Sequence, residues 1–521
     1  MTTVEFLQAL HNPICYPHAV QKITHIETPN TWVVMTGRFA YKIRKSLTFK
    51  HRNLSTIEAH RRHLLEERQL NKIFAPRHTQ QIVSVTGTPQ IPKIGGDTSI
   101  FEYALQMPQF PSTAKLSTML QAGTLQPFHI DILAQQLAQF HANLPIADKL
   151  ALSIYQQVMQ DNFTLFLENL PTEIGNSHLR QLTDSLLTLF KQQEKTLRAR
   201  EQQSFIRHCH GNLYLDHLAF VDGSMIICGG IVADPTLRWM DVINELSGLL
   251  VDLEIESQQA LAARLLNVYL EYTGNYTGLR LLRFYQAYQT FIRAKIVICR
   301  LLKENKGNYE KETLYQYYQT YSTALERYMQ PQISPVLIIT YGVSGSGKST
   351  VTQLLLEALG AIRLRSDVER KRFFGMDFLE RSGATRGLYD PEVSQLVFKG
   401  LETLARHILQ AGFSVIIDAT FLHRASRAPF RRLAYTLGIP YVILACHATE
   451  ECLLQRIKLR QQQNNDPSDA DISVVKQQLA IKEPLGIDEQ VITVDTNQPL
   501  IIPKIVAQLR SITSFNFFNK G

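Results

Sequence analysis

The stretch Leu337-Ile338-Ile339-Thr340-Tyr341-Gly342-Val343-Ser344-Gly345-Ser346-Gly347-Lys348-Ser349-Thr350 constrains the fold more than any other part of the chain. From Gly342 to Ser349 it is a complete G-x-x-x-x-G-K-S loop. The run 336–340 before it is apolar and β-branched, as a buried parallel strand should be. Residues 350–359 read as a helix, with Gly360 as its stop. Glycines let backbone come close to a phosphate and turn its N–H groups inward. The helix N-terminus adds partial positive charge. The pattern predicts that Gly342, Ser344, Gly345, Ser346, Gly347, Lys348, Ser349 and Thr350 cradle the phosphates of ATP. Lys348 would reach the β- and γ-phosphates, and Ser349 would hold Mg²⁺.

Around this loop, strands and helices alternate over 334–510, which predicts a P-loop NTPase fold with a mostly parallel sheet. Ligands in such sheets gather at the carboxyl ends of strands. Two acids stand there. Asp418 ends the apolar run 414–418 and would support Mg²⁺; Asp367 ends the run 361–367 and would deprotonate an acceptor hydroxyl. For each, helix N-capping is the alternative. Arg456 and Arg460 share a helix face at i, i+4 and suit a lid over phosphoryl oxygens; a solvated basic face is the alternative. Arg370, Arg424 and Arg427 are candidates for gripping an anionic acceptor, or are surface charge.

The front of the chain reads differently. Strands are expected at 23–28, 31–36 and 39–45, then a charged helix at 55–74, a hairpin at 81–90 and a strand at 100–107. A strand lysine, Lys42, followed by a helix carrying Glu66 and Glu67 is the pattern of a kinase small lobe, where a lysine–glutamate pair holds nucleotide phosphates; an exposed Lys42 and a solvated acidic pair are the alternative. Residues 111–330 read as mainly helical, with candidates at 116–122, 127–142, 154–168, 177–200, 240–253, 258–273, 279–305 and 308–328. The expected division is a small lobe at 1–110, a helical large lobe at 111–330 and a P-loop domain at 334–510, with 330–335 as linker. The fold class is α/β and α+β multidomain.

These features resemble known families. VVMTGRFAYKIRKSLTF, EERQLNKIFAP and FEYALQMPQF are similar to the aminoglycoside phosphotransferase-like kinases. More narrowly, the chain resembles bacterial two-part proteins that join such a bilobal, protein-kinase-like domain to a C-terminal P-loop kinase. GVSGSGKST, RSDVERKR, YDPEVS, VIIDATFLHRASR and QRIKLRQQQNNDPSDAD resemble the zeta-toxin and polynucleotide-kinase group. The second resemblance implies Asp367 as acceptor-side base, Arg370 as substrate contact, and Arg456 and Arg460 as lid. The first implies a catalytic H-G-D-L-H-x-x-N segment and a metal-binding Asp downstream. Here those positions hold Asn212, His217 and Cys228. Asn cannot take a proton, and a neutral imidazole or thiol serves a hard cation poorly. Loss of the base alone costs roughly 10²–10⁴-fold in rate. Residues 1–330 are therefore expected to be a pseudokinase, unless Asp216 or Asp234 substitutes from a shifted position. Asp241 is expected to cap or brace a helix behind this loop.

A net charge of +8 permits nucleic acid as a partner, but no RNA- or DNA-reading motif is present. No stretch suits a membrane span or signal, so a cytoplasmic protein is expected. The six cysteines are scattered without C-x-x-C, which argues against structural zinc. His208-Cys209-His210 does not suit a metal, since neighbours on a strand face opposite ways. The expected activity is transfer of the ATP γ-phosphate to a hydroxyl on a small molecule, nucleotide or polynucleotide. Its rivals are two active kinase domains and a nucleotide-dependent, nucleic-acid-binding ATPase.

Overall fold

The computed structural model describes residues 4–518 except 29, 46, 50–51, 55, 77, 170–176, 228–234, 302–307, 331–333, 378–379, 381–389 and 464–469. The chain divides into two compact units, residues 1–252 and 253–521.

The first unit opens with a six-stranded antiparallel sheet. Its order is Thr24–Glu27, Thr31–Met35, Phe39–Arg44, Ile100–Pro108, Gln81–Gly87 and Pro92–Ile94. Phe39–Arg44 is central and buried over nearly its whole length. Trp32, Val34, Tyr41 and Ile43 pack with Phe6 and Leu7 of the first helix and with Leu10 just after it. Lys42 alternates with Tyr41 and Ile43 along the strand, so its side chain leaves by the opposite face. Helix Ile57–Phe74 is started by Thr56, whose hydroxyl accepts the Ala59 N–H at 3.2 Å. It buries His60, His63, Leu64 and Glu67.

Helices follow at Leu116–Gln121, Pro127–Ala142, Lys149–Asn169, Ser177–Gln192 and Glu194–Gln202. The single helix expected at 177–200 is therefore two. The Gln193 N–H bonds Phe190 O, three residues back, and interrupts the α ladder.

The second unit holds a five-stranded sheet in which every pairing is parallel. Its order is Ile362–Arg365, Val415–Asp418, Leu337–Tyr341, Tyr441–His447 and Val491–Asp495. The strand before the loop is central and fully buried. Ile338, Ile416 and Leu444 from the sheet pack with Val351 and Leu355 of helix Lys348–Leu359. Helices Ser366–Phe373, Pro391–Gln410, Arg424–Leu437, Glu450–Gln463 and Ile472–Ile481 complete the surroundings of the loop.

Helices Gln259–Thr273, Leu279–Leu301 and Asn308–Met329 also fall in the second unit. The division thus comes well before the 330–335 linker suggested by composition. The reason is tertiary: Gln259–Thr273 lies against the sheet edge, where Glu271 pairs with Arg363, and against helix Lys348–Leu359, where Arg264 pairs with Glu357, each at 2.8 Å. Among the described residues, no helix is long and apolar enough to cross a membrane.

Candidate functional site

The loop between Leu337–Tyr341 and Lys348–Leu359 turns where the glycines allow it. Gly345 and Gly347 have φ of 82° and 81°, a region that L side chains avoid. A Cβ at Gly342 would lie 2.5 Å from the Cys446 carbonyl oxygen, and one at Gly347 would lie 3.0 Å from Thr496 Cβ. Only glycine fits this cradle.

The loop forms one wall of a cleft of about 940 Å³ at the carboxyl ends of the parallel strands. Lys348, Asp367, Arg370, Asp418, Arg456 and Arg460 all line it. The Lys348 ammonium donates to Val343 O at 2.9 Å. Burial pushes its pKa below the ordinary lysine value, against the pull of Asp418. Asp418 sits at its strand end, with Oδ2 accepting the Thr352 hydroxyl at 3.3 Å and facing the Arg365 guanidinium 3.9 Å away. Ser349 and Asp418 offer hard oxygen donors, the chemistry Mg²⁺ requires. Asp367 lies in the first turn of helix Ser366–Phe373, so the expected strand 361–367 ends two residues early. Its side chain still lines the cleft.

The arginines separate. Arg370 is buried, lines the cleft and donates to Ser394 Oγ at 3.3 Å. Arg456 donates to Thr496 Oγ1 at 2.9 Å, Thr496 O at 2.6 Å and Gly345 O at 3.3 Å. Arg460 donates to Ala470 O at 2.8 Å. Arg424 and Arg427 are not brought to the cleft. Arg424 is exposed and pairs with Asp488 at 2.7 Å. Arg427 is buried and grips Glu489 at 2.7 and 2.9 Å while donating to Phe421 O at 3.1 Å. Helix Arg424–Leu437 turns both away, because its cleft-facing positions are taken by His423 and Ser426.

Some cleft residues escaped the sequence reading. Gln478 of helix Ile472–Ile481 accepts the Ser344 N–H at 2.7 Å, a loop donor otherwise available to phosphate. Thr496 joins Ser346 O and His447 O to Arg456. Phe421 has φ of 45° and meets Phe398 and Phe430 edge-on at 5.1 Å. Arg363 and Arg365 alternate with buried Ile362 and Leu364; that period of two was the one legible signal.

The kinase-like features of the first unit sit as follows. Lys42 and Arg44 both pair with the buried Glu67, Arg44 at 3.1 Å. Burial raises the Glu67 carboxyl, but the two cations outweigh it and leave its pKa below the usual value. His217 Nδ1 donates to the Asn212 carbonyl at 2.7 Å. Burial lowers its pKa, which favours the neutral ring. Asp216 is exposed on the same turn. Cys228 and Asp234 lie outside the described residues. Asp241 caps helix Val242–Ile255 through the Ile243 N–H at 2.9 Å and pairs with Arg200. His141, Cys209 and Glu245 place three ligand-type atoms within 4.8 Å. Glu245 is already taken, accepting His141 Nε2 at 3.0 Å and the His210 and Gly211 N–H groups at 3.3 and 2.6 Å. It anchors the turn before Asn212.

Residues 337–485 match the model of the AAA domain family. Proteins recorded as uncharacterized in Mycobacterium tuberculosis and Mycobacterium bovis are 25% identical over 446 residues, covering 84% of this chain and 86% of theirs. Similar solved structures include a gluconokinase from Sinorhizobium meliloti, 22% identical over 36% of this chain and 100% of that one, with a TM-score of 0.28. An amicoumacin kinase in complex with AMP-PNP and Ca²⁺ is 11% identical over 62% of this chain and 94% of its own, with a TM-score of 0.37. The family match lies inside the second unit. The mycobacterial relatives span more residues than either unit contains, so both parts occur together in them.

Proposed function

We propose that the second unit is an ATP-dependent phosphotransferase acting on a hydroxyl acceptor. The observation that carries this is convergence: Lys348, Asp367, Arg370, Asp418, Arg456 and Arg460 come from four elements and line one cleft. A phosphate-binding ATPase needs the loop and Asp418; an acid on the far wall, beside an arginine, suits a second substrate.

The loop N–H groups and Lys348 hold the β- and γ-phosphates, while Gln478 leaves the Ser344 N–H as phosphate arrives. Ser349 and Asp418 are the residues that would hold Mg²⁺, which neutralises phosphate charge when bound. Asp367 takes the proton from the acceptor hydroxyl. The acceptor oxygen bonds to the γ-phosphorus as the bond to the bridging β–γ oxygen breaks, and ADP leaves. Arg456 and Arg460 turn from Thr496 and Ala470 towards the transferring group, and Arg370 holds the acceptor. Their carbonyl contacts, to Thr496, Gly345 and Ala470, are all with neutral partners, so a phosphate competes well for these guanidiniums.

The first unit acts as a pseudokinase in this reading. Lys42 and Arg44 both pair with Glu67, and an amide and an imidazole stand where the resemblance calls for a base and a metal ligand.

The test is a screen of metabolites and nucleic acids with γ-labelled ATP on the full chain. Label should reach a hydroxyl compound, and Lys348→Ala and Asp367→Asn should each abolish transfer. Asp367→Asn should still bind ATP. Transfer that survives both changes but is lost in Lys42→Ala would place the chemistry in the first unit. ATP hydrolysis with no acceptor, coupled to salt-sensitive RNA or DNA binding, would favour the ATPase reading.

A further inference from the structure

The parallel sheet has an edge at Ile362–Arg365, whose one strand neighbour is Val415–Asp418. An edge strand leaves N–H and C=O groups unpaired. Here the Asn267 side chain takes the place of a further strand. Its Nδ2 donates to Ala361 O at 2.9 Å, and its Oδ1 accepts the Arg363 N–H at 2.7 Å. One helical turn later, Glu271 Oε1 accepts Arg363 Nε at 2.9 Å and Nη2 at 2.8 Å. The two side chains are 5% and 4% exposed. The remaining nitrogen, Nη1, faces the Ser349 carbonyl at 3.5 Å.

A charge pair formed across 92 residues therefore ends at the backbone of the Mg²⁺-type serine. The same segment also holds the helix bearing Asp367 and Arg370. Arg372 donates to the Glu271 carbonyl, and Tyr276 donates to Glu369 Oε1 at 2.9 Å. A buried ion pair is a poor way to gain stability, since apolar residues of similar volume serve as well. A forked guanidinium instead gives direction. Its position behind Ser349 supplies the reason for a fork.

We propose that Glu271 and Arg363 are positioning residues for the phosphate site, holding the Ser349 backbone so that its hydroxyl faces the cation shared with Asp418. This rests on the nucleotide site proposed above. Helix Gln259–Thr273 is then a working part of the P-loop unit, and its register sets Mg²⁺ affinity.

The test measures binding of a fluorescent ATP analogue to the full chain, with Mg²⁺ and with EDTA. Arg363→Lys keeps a cation beside Glu271 but cannot span both Glu271 and the Ser349 carbonyl. Glu271→Gln keeps the shape and releases the guanidinium. Both variants should match wild type in EDTA and lose about tenfold of the tightening that Mg²⁺ gives, the scale expected of an outer-shell change. Melting curves identify which variant folds, and either folded variant suffices. Wild-type tightening in a folded variant overturns the proposal and leaves the nucleotide site intact. If neither variant folds, the pair is a structural brace and the proposal fails. No binding by wild type under either condition removes both readings.

Discussion

Arg427→Met separates a structural arginine from a substrate-gripping one. Arg427 is 1% exposed, and its partner Glu489 has a side chain 3% exposed. Methionine preserves much of the apolar stem but removes both bonds to Glu489 and the bond to Phe421 O. The Glu489 carboxylate then keeps the Gly486 N–H at 2.7 Å but loses its paired cation, with only the weaker field of Arg424 left. Breaking one side of a buried pair costs about 3–5 kcal/mol. The loop after Asp418 also loses its tether. Phe421 holds a left-handed backbone that costs about 1–3 kcal/mol, so released strain will pull the loop from the cleft wall. For a unit of this size each kcal/mol moves the melting temperature by about 2–4 °C, giving a fall of about 6–20 °C. Two units need not melt together. The assay should therefore follow the transition that ATP shifts upward. Adding Glu489→Gln should restore most of the loss, because the stranded charge disappears while an acceptor for Gly486 remains. An unchanged melting transition with a raised KM for the acceptor would refute this reasoning and return Arg427 to the substrate.

Three further outcomes follow from the structure. Gly347→Ala should weaken ATP binding about tenfold by titration, since a left-handed alanine costs about 1–2 kcal/mol and its Cβ would press on Thr496. His210 is buried and, among the described residues, has no partner at either ring nitrogen; burial holds its pKa at about 3, against the pull of Glu245. The unfolded chain takes up this proton near the ordinary histidine value, so stability is complete above about pH 6.5 and falls on acidification by about 1.4 kcal/mol per pH unit. A pH series of melting curves for the first unit should show this limb flattened by one proton in His210→Leu. Lys42→Ala should leave phosphoryl transfer unchanged but destabilise the first unit by up to about 3 kcal/mol in a denaturant titration, the remaining Arg44 contact limiting the loss.

What could be read from residues alone was chemistry carried by neighbours in sequence. The loop, its strand and its helix are contiguous, so spacing sufficed to place Lys348 and Ser349. Asp418 was legible because an apolar strand ending in an acid has one sensible address in a parallel sheet. The substitutions at Asn212 and His217 were legible because each replaces one functional group by another of known chemistry. The helices were found where their apolar spacing was regular, and misjudged at Gln193, where a tight turn keeps the same polar composition.

Side-chain direction and distant pairing were beyond the linear chain. Arg370 and Arg427 each sit in a helix just after a strand, a few residues beyond an acid, and nothing local separates them. The rotation of each helix against the sheet turned one into the cleft and the other onto Glu489, 62 residues away. The helix bearing Asn267 and Glu271 reads as one more core helix of the front half. Its attachment to the phosphate site depends on hydrogen bonds spanning more than 90 residues, which exist only once the edge strand has formed. Short-range spacing encodes which groups are offered, and long-range packing encodes where they point.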